Sequence, residues 1–135
     1  MSTKTFSPNA QAIWECLTYY GPGTTFVQLE GALAELGLDP SGDFALIAPA
    51  MPGHHDDNLL IWVGVSQEFC DAFWEVHRAD VIRFAQTEPF VYLIDGKVPT
   101  LPLVKRPPKG GYREPHWLPL SMAPKNPGEP KVADQ

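Results

Sequence analysis

The chain lacks long apolar runs, a leader-like N-terminus and more than two cysteines. Its longest apolar run, at 59–65, is far short of the roughly 20 residues that a transmembrane helix requires. The first residues are predominantly polar and do not show the charged-then-apolar order of a secretory signal. Cys16 and Cys70 alone do not suggest a disulfide framework. These absences predict a cytoplasmic protein with reduced thiols and no contact with a membrane.

Sequence motifs of covalent and phosphate chemistry are absent as well. The chain contains no G-x-S-x-G elbow, and its two glycines at 110–111 are not followed by the helical pattern of a phosphate-binding loop. Cys70 and His77 are seven residues apart on a predicted helix, which separates them by two turns or roughly 10 Å. That distance is too long for direct activation of a thiol. The sequence therefore favours a non-enzymatic protein and implies no cofactor.

Basic side chains are scarce in the first 96 residues, which hold three of them against thirteen acidic ones, a net charge of −10. Residues 97–135 hold seven basic side chains against three acidic ones, a net charge of +4, together with nine of the fifteen prolines. Such asymmetry is typical of a basic arm that binds nucleic acid or an acidic partner. It is also typical of a basic end that docks on its own acidic body, which is the simpler interpretation.

Strong local signals mark two helices near the N-terminus of this 135-residue chain, whose length fits one domain. Ser7, followed by proline, predicts the N-cap of a helix over 8–20. Thr25 and Gln28 are spaced as a capping box, which predicts the start of a second helix. Gly37 and the leucine after it suit a Schellman ending. The predicted helices are joined by only about four residues, so they are expected to pack as a pair.

The middle of the chain alternates between strand and helix signals. Apolar runs predict strands at 44–48 and 59–63, the second of them buried on both faces. Ser66 predicts the N-cap of a third helix over about 67–79. Two further apolar runs flank Thr-Glu-Pro within 81–94 and predict a β-hairpin.

This order of elements, between residues 7 and 96, resembles the winged helix-turn-helix fold. The resemblance is carried by the second helix, the third helix and the hairpin, which read TTFVQLEGALAELGL, SQEFCDAFWEVHRA and DVIRFAQTEPFVYLID. It is architectural and includes no diagnostic motif. It implies an α+β domain of three helices with a small antiparallel sheet and a wing, and a regulatory, DNA-binding role.

The C-terminal region is expected to have no regular structure of its own beyond residue 105. The predicted organisation is a winged-helix-like domain at 1–104, an extended basic and aromatic strap packed on that domain at 105–120, and a flexible tail at 121–135. Within the strap, Trp117 stands between prolines and is expected either to fold back onto the domain or to anchor a partner.

The interleaved cations and aromatic rings of the C-terminal region are what nucleic acid binds, since phosphates pair with the cations and bases stack on the rings. The leading functional prediction is therefore a non-enzymatic accessory module that contacts nucleic acid through its basic end and its wing. The predicted contacts are Arg83, Lys97, Lys105, Arg106, Lys109, Tyr112, Arg113, His116 and Trp117.

The third helix suggests a different partner. It carries Glu68, Asp71 and Glu75 against Arg78 alone, and three carboxylates oppose the approach of a phosphate backbone. The alternative prediction is a protein-interaction or self-association module in which this acidic helix meets a basic surface.

A third alternative is a small metal-binding protein or enzyme. His54, His55, Asp56 and Asp57 place four ligand-type side chains in one predicted loop. Neighbouring residues rarely all reach one ion, so this loop is more simply interpreted as a solvated turn. The sequence on its own therefore assigns no metal ligand.

Overall fold

The computed structural model describes residues 6–47, 59–96, 99, 101–104 and 114–125. These described residues form a mixed α+β structure with four helices and five strands, which confirms the predicted class. In chain order the elements are α1 (Pro8–Tyr20), α2 (Phe26–Glu35), β1 (Ser41–Ile47), β2 (Leu59–Val65), α3 (Gln67–Arg78), β3 (Ile82–Gln86), α4 (Pro89–Asp95), β4 (His116–Trp117) and β5 (Leu120–Pro124).

The boundaries of the first three helices follow from their capping residues. Ser7 accepts a hydrogen bond from the amide of Ala10 at 3.4 Å, and both bonds of the capping box between Thr25 and Gln28 are present. Ser66 caps α3 in the same way, by accepting from the amide of Phe69 at 3.1 Å. The three predicted N-caps are thus confirmed.

The end of α2 is the predicted Schellman motif. The amide of Leu38 donates to the carbonyl of Leu33 at 3.2 Å, and the amide of Gly37 donates to Ala34 at 2.9 Å. Gly37 has a φ of +86°, in the left-handed region that glycine adopts without a steric cost.

Strand β2 is the centre of a three-stranded sheet with the order β1–β2–β4. It pairs antiparallel with β1 and parallel with β4. Leu60, Ile61 and Trp62 are all buried, so consecutive residues on both faces are covered, as the continuous apolar run predicts. Strand β1 lies at the edge of this sheet and exposes most of its side chains.

The predicted hairpin within 81–94 was wrong. Its first half is strand β3, but its second half lies in helix α4, and β3 pairs antiparallel with β5 instead. Ile82 is opposite Pro124, and Gln86 is opposite Leu120. The strand therefore finds its partner more than thirty residues further along the chain, where the sequence suggested a strap and a tail.

The expectation of no regular structure after residue 105 and of a flexible tail from residue 121 was also wrong for the part of this region that the structure describes. Residues 116–117 and 120–124 form β4 and β5, and Ser121, Met122 and Ala123 are buried. Strand β5 has a partner on each side, because Met122 also exchanges two backbone hydrogen bonds with Thr24, at 2.9 and 3.1 Å. The C-terminal strand is thus part of the core.

Aromatic rings dominate this core. Trp62 lies at its centre, with ring centroids 5.8 Å from Phe26, 5.0 Å from Tyr92 and 6.3 Å from Trp117. The indole nitrogen of Trp62 donates a hydrogen bond to the buried carboxylate of Glu30. Among the described residues, no helix combines the length and the apolar character needed to cross a membrane.

Candidate interaction surfaces

The three carboxylates of α3 do not act as one free acidic face. Glu68 and Asp71 are exposed, and Asp71 accepts a hydrogen bond from Gln67 at 2.7 Å. Glu75 instead accepts from both the amide and the hydroxyl of Ser7, each at 2.8 Å. These two bonds hold the pKa of Glu75 below its usual value. Of the predicted partner-binding residues, Glu75 therefore joins α3 to the start of α1, and Glu68 and Asp71 face solvent.

The nucleic-acid contacts predicted from the sequence are divided between described and undescribed residues. Arg83 is exposed on β3, opposite Ala123 of β5. His116 is half-buried in β4. The remaining cations and Tyr112 lie outside the described residues: Lys97, Lys105, Arg106, Lys109 and Arg113.

Trp117 is not accessible to a base or to a partner. Its side chain is 2% exposed, and its indole nitrogen donates to the carbonyl of Ile61 at 3.3 Å. Its backbone pairs with Leu60 of β2. The ring therefore belongs to the core, which agrees with the fold-back alternative and removes Trp117 from the candidate nucleic-acid surface.

The candidate metal ligands His54, His55, Asp56 and Asp57 lie outside the described residues. Within the part of the chain that the structure does describe, no group of three or more metal-ligating side chains comes together.

Cys70 and His77 occupy packing positions on α3. Cys70 is buried, and burial raises the pKa of its thiol. His77 is half-buried among aromatic rings, with centroids 5.2 Å from Trp74, 5.8 Å from Phe84 and 6.3 Å from Phe73. A protonated thiol and an imidazole enclosed by aromatic side chains are consistent with a structural role.

A concave surface that the sequence did not indicate lies between α1 and α2, and is called the α1–α2 groove below. It has a volume of about 560 Å³. Its lining residues are Ala12, Glu15, Cys16, Tyr19, Tyr20, Gln28, Gly31, Ala32, Glu35 and Leu36.

Large apolar side chains at this groove are exposed to solvent. Tyr19 is 81% exposed, Leu36 is 55% exposed and Tyr20 is 51% exposed. The two tyrosine rings contact each other edge to face, with centroids 4.9 Å apart. Scattered single exposed apolar residues are common on protein surfaces, whereas these three side chains line one concavity together.

The charged side chains of the groove are acidic. Glu15 and Glu35 line it, and none of the described residues that line it is basic. The pKa of the Cys16 thiol is raised to about 11, first by burial and second by the negative charge of Glu35.

One sequence signal could have located this groove. Tyr19 and Tyr20 are consecutive on a helix, so they are about 100° apart and cannot share one narrow buried stripe. Tyr20 follows Leu17 at helical spacing, but the buried face of α1 ends at Leu17, and Tyr20 is half exposed. A pair of aromatic residues beyond the last buried position therefore marks a surface feature.

Comparisons with protein-family models, with curated proteins and with solved structures found no significant match.

Proposed function

We propose that this protein is a non-enzymatic interaction module that binds a partner protein in the α1–α2 groove. The observation that carries the proposal is the exposure of Tyr19, Tyr20 and Leu36 around one concavity. Tyrosine supplies a large contact area at a low cost in side-chain entropy, and it is enriched among the residues that dominate binding energies. Covering these side chains would remove apolar surface from water, which favours association.

The direct test locates the contact first and measures it second. A photo-crosslinking amino acid at Tyr19 captures whatever protein occupies the groove, and the same amino acid at the exposed Thr18, which does not line the groove, is the positional control. The captured protein is then purified, and its affinity for the unmodified chain is measured by isothermal titration.

Truncating the exposed side chains should weaken that affinity without affecting the fold. Tyr19→Ser and Leu36→Ser are each expected to lower the affinity by about tenfold or more, since contact residues of this kind contribute about 1–2 kcal/mol. Phe90→Ser is the matched control, because Phe90 is 63% exposed on α4 and does not line the groove. Equal losses for all three variants, or no loss for the first two, would overturn the proposal.

A second candidate function is the binding of nucleic acid by the basic C-terminal region. The net charge of +4 in residues 97–135 supports it, as does the exposed position of Arg83 on β3. The winged-helix resemblance supports this candidate. The exposed carboxylates of Glu68 and Asp71 on α3 favour contact through the C-terminal region rather than through that helix.

Gel-shift titrations against single- and double-stranded DNA at 50 and 200 mM salt test whether the chain binds nucleic acid. Replacing Lys105, Arg106, Lys109 and Arg113 by Ala should abolish a strongly salt-dependent shift. No shift of the unmodified chain at low salt would refute nucleic-acid binding.

A further inference from the structure

We infer that the occupant of the α1–α2 groove is a basic, amphipathic segment of another protein. A Lys or Arg of that segment lies near Glu15 and Glu35, and an apolar side chain lies over Gly31. This inference rests on the proposed function and adds the chemistry of the partner.

The charges of the groove favour a basic occupant. Glu15 and Glu35 are exposed at the groove, and no described lining residue offers a compensating cation. Glu15 accepts a hydrogen bond from the neutral amide of Gln11 at 3.0 Å, which leaves its negative charge in place. The first 96 residues carry a net charge of −10, so the wider field of this part of the chain also attracts a cation.

The same charges exclude other occupants. A phosphate backbone or an acidic peptide would bring like charge against both carboxylates, which costs free energy and slows encounter. A purely apolar peptide would cover the carboxylates without a partner for their charge, and burying an unpaired charge is unfavourable. A segment that combines cations with apolar side chains satisfies both parts of the surface.

The exposed tyrosines also favour a basic occupant. Tyr19 and Tyr20 present aromatic rings beside the carboxylates, and the face of such a ring attracts Lys or Arg. An arginine is suited to both groups at once, because its guanidinium pairs with a carboxylate through several donors and also stacks on an aromatic ring.

Gly31 favours an occupant with an apolar side chain at this position. It lies within α2, where glycine is a poor helix former compared with alanine. Apart from the local backbone of its own helix, a Cβ atom at this position would meet no described atom within 4 Å, and the backbone there has no positive φ. Neither local packing nor backbone conformation therefore requires glycine at position 31. Its lack of a side chain leaves the groove open at this position, which is where we place the apolar side chain of the partner.

The binding test uses two 14-residue amphipathic helical peptides as probes. One is composed of Leu, Arg and Ala, and in the other every Arg is replaced by Glu. Each is titrated into the ¹⁵N-labelled full chain at low salt while amide chemical shifts are followed. The Arg peptide should shift amides along both walls of the groove, with Tyr20 and Gly31 among them, whereas the Glu peptide should shift none. Equal binding of both peptides, or shifts confined to the outer face of α3, would overturn the inference.

Three variants test separately the charge of the groove, its opening at Gly31 and the effect of a charge outside it. The double variant Glu15→Gln, Glu35→Gln should weaken the Arg peptide by about tenfold at low salt and should flatten its dependence on salt. Gly31→Leu should weaken it by a similar factor while leaving the unfolding midpoint unchanged or higher, because leucine is the better helix former. Glu68→Gln on α3 is the charge control and should change the affinity by less than twofold.

These variants also distinguish failure of the inference from failure of the proposed function. If Gly31→Leu prevents binding of the crosslinked partner but the double glutamine variant does not, the groove is a protein-binding site and its occupant is not basic. If neither change has an effect on a folded chain, the proposed function fails as well. A dimer that dissociates in the double glutamine variant would make a second copy of this chain the occupant and would overturn the inference of a different protein.

Discussion

At the scale of single residues, the hydroxyl group of Tyr92 connects three parts of the structure. Tyr92 is fully buried on α4, where it accepts a hydrogen bond from the amide of Phe26 at 3.1 Å and donates to the carbonyl of Leu120 at 2.7 Å. Phe26 is the first residue of α2, so its amide has no partner within its own helix. One side chain thus satisfies the start of α2 and the start of β5 together.

Tyr92→Phe should therefore destabilise the fold although it removes a single oxygen atom. It leaves a buried donor and a buried acceptor without their partner, and each such group costs about 1–3 kcal/mol. We expect urea denaturation to show that the free energy of unfolding falls by at least the cost of one such group, with an unchanged m-value. Tyr20→Phe is the matched control, because Tyr20 is 51% exposed, and it should change stability by less than about 0.5 kcal/mol. Equal stability of the two variants would contradict this role for the hydroxyl.

His77 predicts a dependence of stability on pH. Burial lowers the pKa of its imidazole below the ordinary value of 6.5, nearby Asp80 raises it, and the positive charges of Arg78 and Lys125 lower it further. The unfolded chain therefore binds the proton more readily than the folded chain. The contribution of a neutral His77 to stability is complete above pH 6.5 and is lost as the pH falls below that value.

His77→Phe keeps a ring among the aromatic neighbours and removes this titration. The decrease in free energy of unfolding between pH 7 and pH 5.5 should be smaller in the variant, by less than about 1 kcal/mol because the imidazole is only half-buried. Urea denaturation at both pH values measures it. The two chains differ only at position 77, so all other contributions cancel in the comparison. An identical decrease in the two chains would show that His77 has the same pKa folded and unfolded.

At the scale of elements, α1, α2 and α3 could be predicted because residues close in sequence set their ends. Helix α4 could not be predicted in this way. Caps such as Ser7 and Ser66 act within three residues, so the sequence contains all that is needed to place them. The apolar run at 90–94 has no such local solution, because a short apolar run fits a strand and a buried helix equally. Pro89, the first residue of α4, was the available signal, since proline is favoured at the first helical position.

A polar contact between α1 and α3 involves Ser7, whose side chain has two roles. The hydroxyl of Ser7 accepts from the amide of Ala10 and donates to Glu75, whose other oxygen accepts from the Ser7 amide. A double-mutant cycle of Ser7→Ala and Glu75→Ala should therefore give a coupling energy of about 0.5–1 kcal/mol. Replacing Ser7 alone should cost about 1 kcal/mol, because the N-cap is lost as well.

Glu68→Ala provides the reference for this cycle. Glu68 is an exposed carboxylate on the same helix and should show no coupling with Ser7. Since bonds from Ser7 lower the pKa of Glu75, the coupling should also decline once the pH falls below the ordinary glutamate value of 4.5. A coupling that is absent at pH 7, or one that persists unchanged at pH 3, would contradict the proposed contact.

At the scale of the whole molecule, the missed features are those that depend on contacts distant in sequence. Strand β3 could be recognised from its own residues, but the choice of β5 as its partner depends on how the helices bring the two segments together. Ser121 and Ala123 of β5 carry little strand signal, and Pro124 argues against a strand. The α1–α2 groove was missed for the same reason, since its walls belong to two helices and its shape arises only when they pack.

The position of β5 makes the C-terminal segment essential to folding, in contrast to the tail that the sequence suggested. A chain that ends at Leu120 lacks Met122, which is 1% exposed, and leaves both β3 and Thr24 without their hydrogen-bonding partner. We expect this chain to lose cooperative thermal unfolding and near-ultraviolet circular dichroism. A chain that ends at Lys125 keeps all of β5 and the ion pair of Lys125 with Asp80 at 2.9 Å, and should retain both signals. If the shorter chain unfolds cooperatively at the same temperature as the longer one, β5 is not a structural part of the core, and the two-stranded sheet does not contribute to stability.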